Sequence, residues 1–150
     1  MDRIIKSMRK DELIYLASPY SLGDKEENFR IVSKKAAELV SEGYTVVSPI
    51  TYGHTLLKFK NMPDDWGFWM NFCSQMLYRC DRVLVYKMPG WDASKGVQQE
   101  MSIARDHCIP IKYLEYEEER EELRENGNYR DIKWDLWDRV EKHQERLISL

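Results

Sequence analysis

The sequence predicts an α/β sandwich, a mainly parallel sheet of four or five strands with helices on both faces, and three observations carry that prediction. Short apolar runs, each stopped by a proline or a turn, recur between residues 12 and 114. Between them lie segments whose apolar residues return at helical spacing. The first strand, helix and second strand follow one another at the separation of a right-handed parallel crossover.

Taken in order, residues 1 to 11 are charged and unpatterned and read as a short helical or frayed arm. Glu12 to Ser18 is the first strand, stopped by Pro19. After a loop from Pro19 to Asp24 holding Tyr20, Ser21 and Gly23, a helix over roughly Lys25 to Glu42 turns Phe29, Val32 or Ser33, Ala36, Leu39 and Val40 inward, with Gly43 as its C-cap. Tyr44 to Ser48 is the second strand, ended by Pro49. Ile50 to Asp65 shows no clear period and is expected to be a long loop carrying Tyr52, His54 and Pro63, and long loops in compact domains tend to be functional.

Trp66 to Arg79 is helical, with Trp69, Phe72 or Cys73, Met76 and Leu77 on one face. The third strand starts at Asp81 or Arg82 and ends in the Pro89-Gly90 turn. A helix capped by Ser94 runs to about His107, and Cys108 to Leu114 makes a fourth strand with Pro110 near its start. Further on, Glu117 to Glu125 is an almost wholly charged helix, broken by Asn126-Gly127-Asn128. Asp131 caps a last helix whose Ile132, Leu136, Val140 and Leu147 recur at helical spacing beside Trp134 and Trp137. The expectation is one domain over residues 1–150, with a core at about 12–114 in a flavodoxin-like or Rossmann-like three-layer arrangement and a C-terminal helical extension at about 115–150.

Composition narrows the function. A chain of 150 residues with net charge -3 lacks the basic surplus of a duplex binder, so polymeric nucleic acid is not expected as a partner. The odd count of three cysteines, with no CxxC pair, suits a reducing cytoplasm. No apolar run approaches the length that crosses a bilayer, and no secretory leader pattern opens the chain, so membrane association is not expected. The histidines His54, His107 and His143 are scattered and no HExxH, GxGxxG or Walker loop occurs, so neither a metal nor another cofactor is expected.

The chemistry concentrates after the third strand. Ser94 caps a helix whose free N–H groups and dipole suit an anion, and the hydroxyl itself can hold a phosphate. Glu100 stands one turn above Gly96, whose missing side chain leaves room for a substrate beside the carboxylate. Arg30 and Lys95 are candidate phosphate partners. Trp66, Trp69 and Trp91 offer flat faces for a base, Trp91 being the best placed and Trp69 the better fit to core packing. His54 is a candidate for the pocket wall.

Three landmarks in order, Ile14-Tyr15-Leu16-Ala17-Ser18, Cys80-Asp81 and Ser94-x-Gly96-Val97-x-x-Glu100, resemble the nucleoside 2-deoxyribosyltransferase superfamily. That superfamily includes a nucleotide N-glycosidase branch and small, often phage-encoded relatives, and the resemblance covers roughly residues 12 to 114. It implies cleavage or exchange of the N-glycosidic bond of a (deoxy)nucleoside or its 5'-monophosphate. Glu100 would be the nucleophile forming a covalent glycosyl intermediate, Asp81 the contact or proton donor to the base, and Tyr15 the hydrogen-bonding orienter of the glutamate. Ser94 with Gly96, and Ser18 at the end of the first strand, would hold sugar or phosphate. Serine at 94, where the transferase branch tends to carry aspartate, with Asp92 two residues earlier, leans towards a monophosphate. The resemblance also implies a homodimer or larger homo-oligomer, in the cytoplasm or, for a phage product, in that of the host. Two other readings stay open: a non-catalytic module that binds or sequesters a nucleotide, and a glycohydrolase of NAD or a related dinucleotide.

Overall fold

The structure, a computed structural model, describes residues 3–118. The chain divides into two compact units, Met1–Tyr116 and Glu117–Leu150. All the elements below belong to the first. The expected helix at 117–125, but for residues 117 and 118, and the one from Asp131 onward, with the Ile132, Leu136, Val140 and Leu147 stripe, lie outside the described residues.

In chain order the elements are α1 (Arg3–Ser7), β1 (Leu13–Ala17), α2 (Lys25–Ser41), β2 (Thr45–Val47), α3 (Pro49–Leu57), α4 (Trp66–Leu77), β3 (Arg82–Tyr86), α5 (Lys95–Asp106) and β4 (Ile111–Leu114). Among the described residues the sheet has four strands in the order β2-β1-β3-β4, every neighbouring pair parallel. Tyr15 sits level with Val47 on one side and Val83 on the other. Both faces of the sheet are covered over its two central strands, which is why β1 and β3 are buried at every position but the first rather than alternating. Ile14, Leu16, Leu84, Tyr86 and Leu114 pack with Ile5, Val32 and Leu39 in one layer. Tyr15, Ala17, Val83 and Val85 pack with Leu77, Val97, Met101 and Ala104 in the other. The order reverses between β1 and β3, and the carboxyl ends of strands at such a reversal open a crevice where ligands of open α/β sheets bind.

Local chemistry sets the element ends. Asp24 caps α2 by accepting from the Glu27 amide at 3.0 Å, Asp65 caps α4 by accepting from the Phe68 amide at 2.9 Å, and Ser94 caps α5 by accepting from the Val97 amide at 3.3 Å. Gly43, at φ 98°, closes α2 as expected.

Four expectations need correction. The segment from Ile50 is not a loop at its start, because Pro49 opens α3 rather than only ending β2. Ser48 accepts from the Thr51 amide at 3.2 Å, and proline at the first helical turn needs no N–H partner. Tyr44 precedes β2 instead of joining it, its hydroxyl donating to the Ile5 carbonyl at 3.0 Å. Val40 is exposed, since Leu39 already fills that turn's inward position. Cys108 is not in β4. It takes φ 55° just past α5, where its amide donates to Arg105 and that of Ile109 to Ala104, the hydrogen-bond pattern of a left-handed helix stop. No helix of the described residues is long and apolar enough to cross a membrane.

Candidate active site

The carboxyl ends of β1 and β3 open into a cavity of about 310 Å³, within the range of small-molecule sites. Its walls come from the loop after β1 (Ser18 to Leu22), one side of α3, the start of α4 with the residues before it, and the first turns of α5. Glu100 lines it although the residue is only 4% exposed. The Tyr15 hydroxyl, fully buried on β1, donates to Glu100 Oε2. Strand and helix positions explain the meeting: Tyr15 points to the α5 side of the sheet, and Glu100 shares the buried stripe of Val97, Met101 and Ala104.

Burial dominates the electrostatics. Removal from water pushes the Glu100 carboxyl up to about 8, against the opposing pull of the Tyr15 hydrogen bond. Tyr15 is held well above the usual phenol range, first by burial and then by the negative charge of Glu100, so it keeps its proton and acts as the donor. The Cys73 thiol, on α4 and lining the same cavity, is pushed up to about 12 by burial and by Glu100.

Two cavity-lining groups are buried without a hydrogen-bond partner among the described residues: the Ser18 hydroxyl and the Trp66 indole N–H. Natural proteins leave few such groups, and each costs about 1–3 kcal/mol unless something bonds it. Both residues line the cavity, although the two polar atoms themselves are turned into the protein. Trp66 packs beside Gly96, where an added Cβ would stand 3.6 Å from its ring. The space beside Gly96 is therefore partly the indole's.

The structure brings Ser18, His54, Ser94, Gly96 and Glu100 to one cavity, with Tyr15 behind Glu100 and Lys95 at the wall. Four expected site residues lie elsewhere. Asp81 stands at the opposite, amino-terminal end of β3, exposed, its carboxylate accepting from the Leu13 amide at 2.7 Å, so it ties β1 to β3 and has no place on the cavity wall. Trp91 packs edge-on against Tyr113 and joins the α5-side core. Asp92 is exposed, its carbonyl accepting from the Gln98 side chain at 3.0 Å. Arg30 pairs with Glu27 one turn away at 2.8 Å and is likewise off the wall.

The aromatic wall is instead Trp66 and Trp69, the latter fixed by its indole N–H donating to the Pro63 carbonyl at 2.8 Å. Sequence reasoning assigned no role to Tyr20, Cys73 or Asp64, which also line the cavity. The position of Tyr20, two residues past a strand stopped by Pro19, was the available signal for it. Lys25 and Asp64 form an ion pair across the mouth of the loop after β1.

The family described as a domain of unknown function, DUF1937, matches residues 12–116. Among solved structures the chain is similar to a 2-deoxyribosyltransferase from the psychrotolerant bacterium Bacillus psychrosaccharolyticus. That protein is described as a biocatalyst for the synthesis of antiviral and antitumoral nucleosides. The TM-score is 0.52 and the identity 23%, over 72% of this chain and 75% of that one. A likeness at this identity carries the fold. No curated protein matches the chain.

Proposed function

The chain belongs to the DUF1937 family, and we propose that it cleaves or transfers the N-glycosidic bond of a nucleoside, a deoxynucleoside or its 5'-monophosphate, with Glu100 as nucleophile. The observation that carries this reading is the buried Glu100 carboxyl, gripped by Tyr15, at the wall of a cavity large enough for a small molecule. Glutamates are rarely buried to this degree. This one is dehydrated where a ligand fits.

In the first step a carboxylate oxygen of Glu100 bonds to the anomeric carbon while the bond to the base nitrogen breaks, its electron pair leaving with the base. Water or a second base then attacks the same carbon, and the carboxylate leaves. The Tyr15 hydroxyl fixes which oxygen attacks, since the donor holds Oε2. Dehydration makes the ionised carboxylate more reactive and makes it scarcer at neutral pH, because burial pushes the group up to about 8. A rotation of the Ser18 or Trp66 side chain would bring its unpartnered polar atom to a sugar or phosphate oxygen. The start of α5, with Ser94, Lys95 and the Gly96 backbone on the wall, suits an anion. Trp66 and Trp69 offer flat surfaces for the base.

Incubation with a panel of nucleosides, deoxynucleosides and their monophosphates tests this by chromatography of free base. Base release is expected from wild type, with a loss of at least about 1,000-fold in Glu100→Gln. Binding without release, or release that survives Glu100→Gln, would contradict it; release of nicotinamide from NAD alone would move the substrate to a dinucleotide.

A further inference from the structure

With Asp81 at the far end of β3, the departing base needs another proton source, and we propose that Glu26, His54 and Tyr20 form a relay that supplies it from solvent. The inference rests on the glycosidic reading above. Three elements build the chain of bonds. Glu26, on α2, is exposed, and its Oε2 lies 2.7 Å from His54 Nε2. The His54 ring, on α3, stacks on Phe29 with centroids 4.2 Å apart, and its Nδ1 lies 2.7 Å from the Tyr20 hydroxyl. Tyr20 and His54 both line the cavity that Glu100 lines. The line therefore runs from an exposed carboxylate to a phenol at the cavity wall.

The donor inventory sets the direction of the proton. A carboxylate only accepts, so the Glu26 contact requires N–H at Nε2. In neutral His54 the other nitrogen then has no hydrogen and must accept the Tyr20 O–H, which turns that proton away from the cavity. In the imidazolium both nitrogens carry hydrogen. Nδ1 then donates to the phenol oxygen, and the Tyr20 O–H is free to face a ligand.

The step balances from that state. As the glycosidic electron pair leaves with the base, the base nitrogen takes the Tyr20 proton, the phenolate takes the Nδ1 proton, and His54 is left neutral until solvent reloads it. Charged groups around the relay are Glu26 and Lys25 on α2, Lys58 just past α3 at 3.8 Å from Glu26, Asp64 paired with Lys25, and Glu100 across the cavity. Lys25 also stands over the Tyr20 ring at 5.7 Å.

A pair of substrates isolates the relay. 2'-Deoxyguanosine needs a proton to leave, whereas 7-methyl-2'-deoxyguanosine carries a cationic base that leaves as a neutral molecule without one. Tyr20→Phe and His54→Asn are expected to lose roughly 100-fold or more in base release from the first and less than about 10-fold from the second. Glu100→Gln is expected to lose both. Glu26→Gln, changed at an exposed carboxylate, is expected to slow base release from deoxyguanosine and leave release from the methylated substrate in place. Equal losses on both substrates in Tyr20→Phe, or an unchanged deoxyguanosine rate in Glu26→Gln, would overturn the relay while leaving Glu100 as nucleophile. Wild type inert on both would overturn the glycosidic reading itself.

Discussion

Glu100 and Tyr15 are the residues whose physical state decides the chemistry, and their state is measurable without a substrate. The native carboxyl is raised to about 8 by burial, whereas in the unfolded chain it ionises near 4.5. Between those values the native state holds a proton that the unfolded state has lost. The stability from this group is therefore fully present below pH 4.5 and is lost as pH rises towards 8. Glutamine cannot ionise, and its carbonyl can still accept from Tyr15. Glu100→Gln is thus expected to gain on wild type as pH rises, the gap reaching on the order of 4 kcal/mol above pH 8. Urea melts at pH 5, 7 and 9 measure it, and curves that stay parallel would mean the side chain is hydrated. The functional pairing of Tyr15 with Glu100 was legible only through a family pattern. The spacing of apolar residues marks Tyr15 as a core aromatic, and nothing local says which helix residue its hydroxyl meets. Asp81 shows the opposite case. A strand-initiating aspartate and a base-contacting one look alike in sequence, and the Leu13 amide at 2.7 Å supports the first.

At the scale of elements, periodicity found the strands and α2, α4 and α5 because each carries an apolar face repeated over several turns. It missed α3, whose Pro49-Ile-Thr-Tyr-Gly-His-Thr-Leu-Leu57 run spans little more than two turns with a glycine inside. The signal present was Ser48-Pro49, a cap followed by proline, which reads equally as a strand end. Misplacing α3 put His54 on a loop and hid its alignment with Tyr20 and Glu26. Helix ends offer a matched pair of tests. Gly43 at φ 98° and Cys108 at φ 55° occupy the same left-handed stop after α2 and α5. A side chain is disfavoured there by about 1 kcal/mol. Cys108→Gly is expected to stabilise the protein by up to about 1 kcal/mol and Gly43→Ala to destabilise it by about 1 kcal/mol or more, as read by thermal melts. Shifts of the same sign would mean the stops are not equivalent.

For the molecule as a whole, the parallel sheet and its order place the cavity before any side chain is considered. The reversal between β1 and β3 opens the crevice, β1 delivers Ser18 and the Tyr20 loop to it, and the turn after β3 delivers Ser94 and α5. The parallel sheet and the turn that leads into α5 were legible, since apolar runs and caps fix which strand ends precede which helix; the strand order was not, because nothing local to a strand names its neighbours in the sheet. Less legible was the wall contributed by α3 and α4. Trp66, Trp69 and Cys73 reach the cavity through the packing of α4 against α5 and beside α3, and single-helix patterns cannot distinguish a residue facing a cavity from one facing the core.

The account turns on a bond forming at one carboxylate, and a slow substrate makes that bond visible. A nucleoside whose sugar bears fluorine at C2 destabilises the cationic transition state of both steps. Intact-mass and peptide mass spectrometry after incubation above pH 8 should show one fluorinated glycosyl group, carried on Glu100 and missing from Glu100→Gln. Base released with no adduct, or an adduct on any other residue, would contradict Glu100 as nucleophile.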